Sequence, residues 1–292
     1  MIQPVVIIGA GRSGTKFLRD TLAGSSLCCA VPFDVNYVWR YRHERLPDDV
    51  IPAEELKPET QRYIRRTLER LAHIGTHPGC RYLVEKTVSN SLRVPYIDAI
   101  LPTAKFIHLI RDGREVVESA ARMWRQPPSW HYLLQKLRYF PLSNYRYGFW
   151  YLRNLMAGAL QKKRGQRIWG PRYPGIEDDL ATKGIYEICA LQWRACVEQA
   201  LSDLEMIPEA RKITVRYEQL VSNEEAISRV CDFLGLDDSD RVIAVYSKTL
   251  RRDTREKWKT NIPEEDMTLV LRELNPTLDR LHYLASPASG SR

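Results

Sequence analysis

A run of apolar β-formers, Val5 to Ile8, meets a glycine-rich loop, Gly9 to Gly14, and then an amphipathic helix carrying Phe17, Leu18 and Leu22. Strand, glycine loop and helix in that order form a phosphate cradle. Glycines let the backbone approach an anion closely, and the unpaired N–H groups and dipole at the helix start favour negative charge. The bland alternative is an ordinary strand-to-helix turn with structural glycines. Arg12, Ser13 and Thr15, set around those glycines, weigh against it.

The ATP-binding version of such a loop requires Lys and then Ser or Thr directly after its last glycine, for the β/γ-phosphates and Mg²⁺. Gly9 and Gly14 have the right separation, but Thr15 stands where the lysine belongs. Lys16 comes one residue late and is followed by Phe17, which cannot ligate a metal. One residue of displacement turns the lysine by about 100° around the helix. A kinase or ATPase therefore loses both of its charge-handling groups.

The chain has 292 residues, a net charge of +8 and a pI near 9.2. That length can bury a large α/β core. The positive balance suits an anionic ligand, while no helix-turn-helix, zinc finger or RNP-like motif supports nucleic acid. The six cysteines (Cys28, Cys29, Cys80, Cys189, Cys196 and Cys231) lie scattered without metal-ligand spacing. They read as free, mostly buried thiols in a reducing compartment. The first core strand follows Met1 almost at once, and the apolar stretch Tyr139 to Leu160 contains Arg146 and Arg153. The expectation is a cytoplasmic protein with no signal peptide and no transmembrane segment.

No internal repeat stands out. Cys28 to Val31, Tyr82 to Glu85, Lys105 to Ile110 and Ile213 to Tyr217 read as short strands. Helical spacing marks Asp48 to Ile74, Val94 to Leu101, Arg114 to Trp124, Tyr186 to Leu204 and Glu224 to Leu234, the last stopped by Gly235. A basic loop beginning at Lys257 leads into a closing helix that runs to Tyr283. Strands alternating with helices imply an α/β fold, a central parallel sheet flanked by helices in three layers. Its ligand belongs beyond the carboxyl ends of the strands. A single domain over 1–285 is expected, with 127–184 as an aromatic, basic insertion and 286–292 as a disordered tail.

A second anion site is suggested at Arg111, which ends the strand Lys105 to Ile110. Asp112 and Gly113 then start a helix that carries Ser119 about two turns in. Arginine supplies a planar donor fork and serine a hydroxyl, and both can bond one phosphate. Two separate anion sites fit a nucleotide with phosphates at both ends of its ribose.

At this point the chain resembles the sulfotransferases that use 3′-phosphoadenosine 5′-phosphosulfate. Gly11-Arg-Ser-Gly-Thr-Lys16 is similar to the family's 5′-phosphosulfate loop, and Arg111 and Ser119 stand at the Arg-x7-Ser spacing of its 3′-phosphate site. Val215-Arg-Tyr-Glu-Gln-Leu220 with Phe233-Leu-Gly-Leu236 resembles a further segment, and Lys257-Trp-Lys259 resembles the basic loop that closes over the cofactor. Arg12 stands where many members carry a catalytic lysine, and the glycine pair of the cytosolic aryl enzymes is missing. The resemblance is therefore closer to the carbohydrate-directed and bacterial branch. It implies a P-loop-like fold, sulfuryl transfer to a hydroxyl or amine, adenosine 3′,5′-bisphosphate as co-product, and no metal requirement.

On that reading Arg12 faces the bridging or leaving oxygen, with a simple 5′-phosphate clamp as its plain alternative; Ser13, Gly14, Thr15 and Lys16 supply N–H groups, hydroxyls and a second charge, unless Lys16 points to solvent. The acceptor needs a general base. Glu85-Lys86-Thr87 follows the strand Tyr82 to Val84, and the resemblance puts the base there: Glu85 as base, Lys86 as transition-state cation. The rival by residue type, His108, lies inside an apolar strand, and a surface ion pair is the plain alternative for Glu85 and Lys86. Asp34 can also reach an acceptor. The resemblance sets Tyr217 and Trp258 near adenine, with Arg252, Lys257 and Lys259 near the 3′-phosphate. The insertion interleaves Trp130, Tyr132, Tyr145, Tyr147, Phe149, Trp150, Tyr151, Trp169 and Tyr173 with Arg and Lys. Such a surface suits a glycan, a glycolipid or another natural product, or builds a local core. A degenerate P-loop kinase and a non-catalytic nucleotide-binding protein are the competing functions.

Overall fold

Along β1 (Gln3–Ile8) successive side chains enter different cores: Val5 and Ile7 face one side, Val6 and Ile8 the other, and all four are wholly buried. An uninterrupted apolar strand is what a sheet covered on both faces requires. A computed structural model of the chain describes residues 2–74, 79–126, 138–140, 148, 168–250 and 256–284. It contains a sheet of five parallel strands in the order β2-β3-β1-β4-β5. Its other members are β2 (Cys28–Ala30), β3 (Tyr82–Glu85), β4 (Lys105–Ile110) and β5 (Lys212–Arg216). Glu85 stands opposite Val6, and Ile110 opposite Arg216.

Helices complete a three-layer α/β fold. On one face lie α2 (Asn36–Trp39), α3 (Pro58–Ala72) and α4 (Val94–Ile100), whose Trp39, Ile64, Leu68 and Ile97 pack on Val6, Ile8, Leu83 and Phe106. The other face is covered by α1 (Thr15–Leu22) and, from the later chain, by Glu225–Leu234 and Ser239–Thr249. A third core forms where α5 (Gly113–Arg125) meets the long helix Ile185–Glu205 and the closing helix Glu264–Arg280. Among the described residues, the remaining helices in chain order are α6 (Ile176–Thr182), α7 (Ile185–Glu205), α8 (Tyr217–Leu220), α9 (Glu225–Leu234), α10 (Ser239–Thr249), α11 (Trp258–Asn261) and α12 (Glu264–Arg280). No helix among the described residues is long and apolar enough to cross a membrane.

Because β1 sits between β3 and β4 while the chain visits β2 first, the strand order reverses beside β1. Ligands of open α/β sheets bind at such a reversal. The loop after β1 is flanked on one side by Glu85 to Thr87 and on the other by Arg111 to Gly113.

The structure corrects several expectations. The helix expected from Asp48 starts only at Pro58, because Asp49 is drawn inward to Arg40, Asn36 and Ser89. α10 was not expected, since it buries only Val242 and Tyr246. The end of the expected insertion belongs to the core: Tyr173 and Ile176 are buried, and α6 starts after Gly175. Trp130, Tyr132, Tyr145, Tyr147, Phe149, Trp150, Tyr151, Arg252 and the tail 286–292 lie outside the described residues. Two cysteines are not free thiols: Cys29 in β2 and Cys80 before β3 form a disulfide, with Cα atoms 5.7 Å apart. The other four are buried, and burial pushes the Cys28 thiol up to about 12.

Candidate active site

The loop after β1 is shaped by close backbone approach. A Cβ at Gly9 would lie 2.6 Å from the Leu109 carbonyl oxygen of β4, so only glycine fits between these strands. Gly14, at the start of α1, has φ +91°, and a Cβ there would lie 2.4 Å from the Tyr217 ring. Arg12 also takes a left-handed backbone, with φ 72°. Ser13 is buried, and its hydroxyl has no partner among the described residues. Thr15 is buried too. Lys16 takes the solvent-facing alternative: its side chain is 74% exposed and its Nζ pairs with Asp20 at 2.5 Å, one helical turn on. Only its backbone faces the loop region, as its place one residue late around the helix requires.

Arg111 and Ser119 come together with this loop. Asp112 caps α5 by accepting the Arg114 N–H at 2.9 Å, which sets the helix start beside the end of β4. Arg111 donates from Nη1 to the Arg12 carbonyl at 3.0 Å, and Arg12 donates from Nε to Ser119 Oγ at 2.9 Å. The two expected anion sites therefore adjoin at residue 12. Although Arg12 as a residue lies open, its guanidinium is tucked against α5. That enclosure, followed by repulsion from Arg111 and Arg122, lowers its pKa, with Glu118 acting the other way. The buried Nε of Arg111 has no partner among the described residues.

Beside Arg111 opens a cleft of about 280 Å³ whose lining mixes Arg111, Arg114 and Lys259 with Asp112, Glu115, Glu218 and Glu256 around Tyr217 and Trp258. Tyr217 is pinned between Gly14 and Arg111, whose Cζ lies 4.2 Å from the ring centroid. Trp258 is covered by Arg114, with Cζ 4.8 Å from the ring. Lys257 and Lys259 are exposed, and Lys259 pairs with Glu256 at 2.6 Å. The neighbours of Tyr217 are structural. Arg216 donates to the Leu281 carbonyl at 2.6 Å, and Glu218 accepts the Asp112 N–H at 3.0 Å and the Tyr283 hydroxyl at 2.8 Å.

Comparison with known proteins decides the family. Residues 4–166 match the sequence profile described as the sulfotransferase family. The chain belongs to the sulfotransferase family. Among solved structures, this sulfotransferase resembles the sulfotransferase domain from the curacin biosynthetic pathway. They share 17% identity at a TM-score of 0.57, over 98% of this chain and 99% of that one. The sulfotransferase domain from the Synechococcus PCC 7002 olefin synthase shares 19% identity at a TM-score of 0.53, over 98% and 96%. A sulfotransferase from Alicyclobacillus acidocaldarius shares 14% at 0.51, over 97% and 96%. At these identities the likeness shows the fold. A search of curated proteins finds no match.

Across β1 from Arg111, the sulfotransferase carries Glu85 and Lys86 at the end of β3. Glu85 ends β3 and is wholly buried. Its Oε1 accepts Thr87 Oγ1 at 2.6 Å and Trp39 Nε1 at 3.2 Å, and its Oε2 accepts Asn90 Nδ2 at 2.8 Å. Burial pushes its carboxyl up to about 7, against the pull of the Thr87 and Trp39 hydrogen bonds. Lys86 turns the other way and pairs with Asp34, Nζ to Oδ1 2.7 Å. Asp34, part exposed, is the carboxylate that reaches solvent here. His108 is enclosed within β4; burial drives its pKa down to about 4, and its Nδ1 has no partner among the described residues. That makes it a core residue.

Trp39, Asn90, Arg93 and Asp49 were not singled out from the sequence, yet they surround Glu85 or its supports. A usable signal existed. Asn90 and Arg93 lie in the short run between the end of a buried strand and α4, and polar residues held that close to the core need partners. Trp169 was noted only as part of an aromatic insertion, and it stands 3.4 Å from a Cβ placed on Gly11.

Proposed function

We propose that this sulfotransferase moves a sulfuryl group from 3′-phosphoadenosine 5′-phosphosulfate to a hydroxyl or amine of a small-molecule or glycan acceptor. What carries the reading is that Arg111 is bonded to the Arg12 backbone while Arg111 and Arg122, though paired with Glu115 and Glu118, still lower the Arg12 pKa, and that among the described residues two buried polar atoms there, Ser13 Oγ and Arg111 Nε, have no partner. Like charges held together in a recess are stabilised by an anion. On this reading Gly11, Arg12, Ser13, Gly14, Thr15 and the Lys16 backbone receive the 5′-phosphosulfate. Arg111 and Ser119 receive the 3′-phosphate, and the cleft edged by Tyr217, Lys257, Trp258 and Lys259 borders the adenosine.

The transfer is an in-line displacement at sulfur. A bond forms from the acceptor oxygen or nitrogen to sulfur while the bond from sulfur to the 5′-phosphate oxygen breaks. The bisphosphate leaves with the electron pair, and the acceptor proton passes to a carboxylate. Positive donors stabilise the charge on the leaving oxygen and the equatorial sulfuryl oxygens. Arg12 and Lys86 are the cations in those roles, and Lys16 stands where an ATP-type loop needs its metal-binding hydroxyl. Glu85 is the proposed base: a carboxyl held near 7 accepts a proton well at neutral pH. A second reading gives that role to Asp34, favoured by its partial exposure and its contact with Lys86.

Thermal-shift titration with adenosine 3′,5′-bisphosphate and, separately, with ADP and Mg²⁺ tests the donor. Saturating bisphosphate at a hundredfold over its Kd stabilises by about 2.7 kcal/mol. Stabilisation by ADP and Mg²⁺ alone would return the degenerate kinase. The base is read from Glu85→Gln and Asp34→Asn: the variant that stops turnover while keeping bisphosphate binding names it. A chain that binds the bisphosphate but transfers nothing to any alcohol or amine in a labelled-donor screen is the non-catalytic alternative.

A further inference from the structure

Behind Glu85 lies a buried polar network whose hydrogen-bond directions are forced. Arg93 is enclosed, with a side-chain exposure of 0%, and a guanidinium has donors only. Its Nε and Nη2 both point at Asn90 Oδ1, at 3.0 and 2.9 Å. The amide of Asn90 therefore keeps its oxygen toward Arg93 and its NH₂ toward Glu85 Oε2. Thr87 is constrained likewise: its Oγ1 accepts the Val35 N–H at 2.9 Å, which leaves the hydroxyl proton for Glu85 Oε1. Trp39 Nε1 can only donate.

Glu85 thus meets donors on both oxygens, and a proton placed on it finds no acceptor among these three groups. Arg93 is itself held from behind. It donates to Asn36 Oδ1 at 2.5 Å and stands 4.0 Å from Asp49, which also pairs with Arg40 at 2.9 Å. Among the described residues, Asp34 raises the Glu85 pKa and Arg93 lowers it; Lys86, next in the chain, is paired with Asp34, and Asp49 and Arg40 lie one step behind.

We propose that Asn90, locked by Arg93, is a positioning residue for sulfuryl transfer: it fixes the Glu85 carboxylate in the orientation and charge state that a proton acceptor at the end of β3 needs. The inference rests on Glu85 as base. Asn90 touches no reacting atom and acts by countering the rise that burial imposes on Glu85, so that more of the carboxyl is ionised at a given pH. Arg93 supplies direction as much as charge, because a lysine can present one N–H to Asn90 where the fork presents two.

The test uses the full chain and water as acceptor, read as release of labelled sulfate from the donor in single turnovers between pH 5.5 and 9. A hydrogen bond to a charged group is worth about 1.5–3 kcal/mol, so Asn90→Ala should lose about 10- to 100-fold in rate on the acid side. Its acid limb should move up by one to two pH units, while the alkaline plateau and bisphosphate affinity hold. Arg93→Lys, which keeps the charge, should show the same displacement, and the double variant should add little to either single change.

A carboxyl ¹³C titration of Glu85, assigned with Glu85→Gln, reads the same shift without turnover. An unmoved Glu85 titration in Asn90→Ala, or a rate loss equal at every pH, overturns the proposal. A titration that moves while Glu85→Gln retains full activity sinks Glu85 as base, and with it the catalytic role given to Asn90. Should Asn90→Ala fold poorly, Asn90→Ser and Arg93→Lys carry the titration.

Discussion

Gly14→Ala puts the geometry of the donor loop to a quantitative test. Two costs are separable. The backbone at Gly14 has φ +91°, and a residue with a Cβ pays about 1–2 kcal/mol in left-handed conformation. The new methyl would also lie 2.4 and 2.5 Å from Tyr217 Cδ2 and Cε2, where carbon atoms normally keep about 3.5–4.0 Å. Tyr217 cannot swing away freely, because Arg111 covers its ring from 4.2 Å. Overpacking of this kind costs a further 1–3 kcal/mol or so. The sum, about 2–5 kcal/mol, is read by urea unfolding of wild type, Gly14→Ala, Tyr217→Ala and the double variant. If the clash is real, Tyr217→Ala rescues part of the Gly14→Ala loss, and the double variant is more stable than additivity predicts by about 1–3 kcal/mol. The residue is the backbone term alone. Bisphosphate affinity should fall in Gly14→Ala because the displaced ring presses on Arg111. Strict additivity, or a Gly14→Ala chain as stable as wild type, refutes the placement of Tyr217 against the loop.

Reduction of the Cys29–Cys80 disulfide opens a link between residues 51 apart in sequence. Chain entropy for a loop of that length is worth about 4 kcal/mol at 25 °C, so thermal unfolding with and without a reducing agent should differ by several degrees. Cys29→Ala/Cys80→Ala should remove that difference, and an equal melting temperature in both conditions contradicts it. Lys16→Ala should change stability by less than about 0.5 kcal/mol, as expected for an exposed ion pair, and should leave bisphosphate affinity unaltered. Arg111→Ala, at the same assay, should abolish that affinity. A large loss from Lys16→Ala shows that the side chain turns inward on binding.

The sheet and the juxtaposition of the β1 loop with Arg111 and Ser119 were legible because their signals are local. Val5 to Ile8 needed two buried faces, and Gly14, Arg111 and Ser119 hold their meaning in fixed short spacings. Even Lys16 was readable, since one residue of displacement turns a helical side chain away from its neighbour's direction. The acceptor side was not legible in this way. Glu85 could be placed at a strand end, but its enclosure comes from Trp39, Thr87 and Asn90, and Trp39 is far away in sequence. Asp49 gave no signal at all inside a polar stretch. It is buried only because Arg40, Asn36, Ser89 and the backbone of Arg172 converge on it from separate segments. The disulfide has the same character: Cys29 and Cys80 meet only once β2 lies beside β3.

The two halves of the site meet through β1. Its neighbour β4 ends on Arg111 and the cations, and its other neighbour β3 ends on Glu85 and Lys86. Adjacent strands lie about 4.8 Å apart, so the loop after β1 stands within about 5 Å of each side at strand level. A sulfuryl group held on that loop would have positive donors on the β4 side and a proton acceptor on the β3 side, the arrangement that in-line transfer requires. Charge keeps the halves distinct. Arg12 spends its Nε on Ser119, toward β4, whereas Lys86 spends its Nζ on Asp34, toward β2. The cation proposed for the leaving group and the cation proposed for the acceptor side are thus tied to different elements. Arg12→Ala and Lys86→Ala should differ accordingly: the first should weaken bisphosphate binding together with turnover, the second turnover with little change in bisphosphate binding. Equal loss of bisphosphate affinity in both variants contradicts a division of the site along β1.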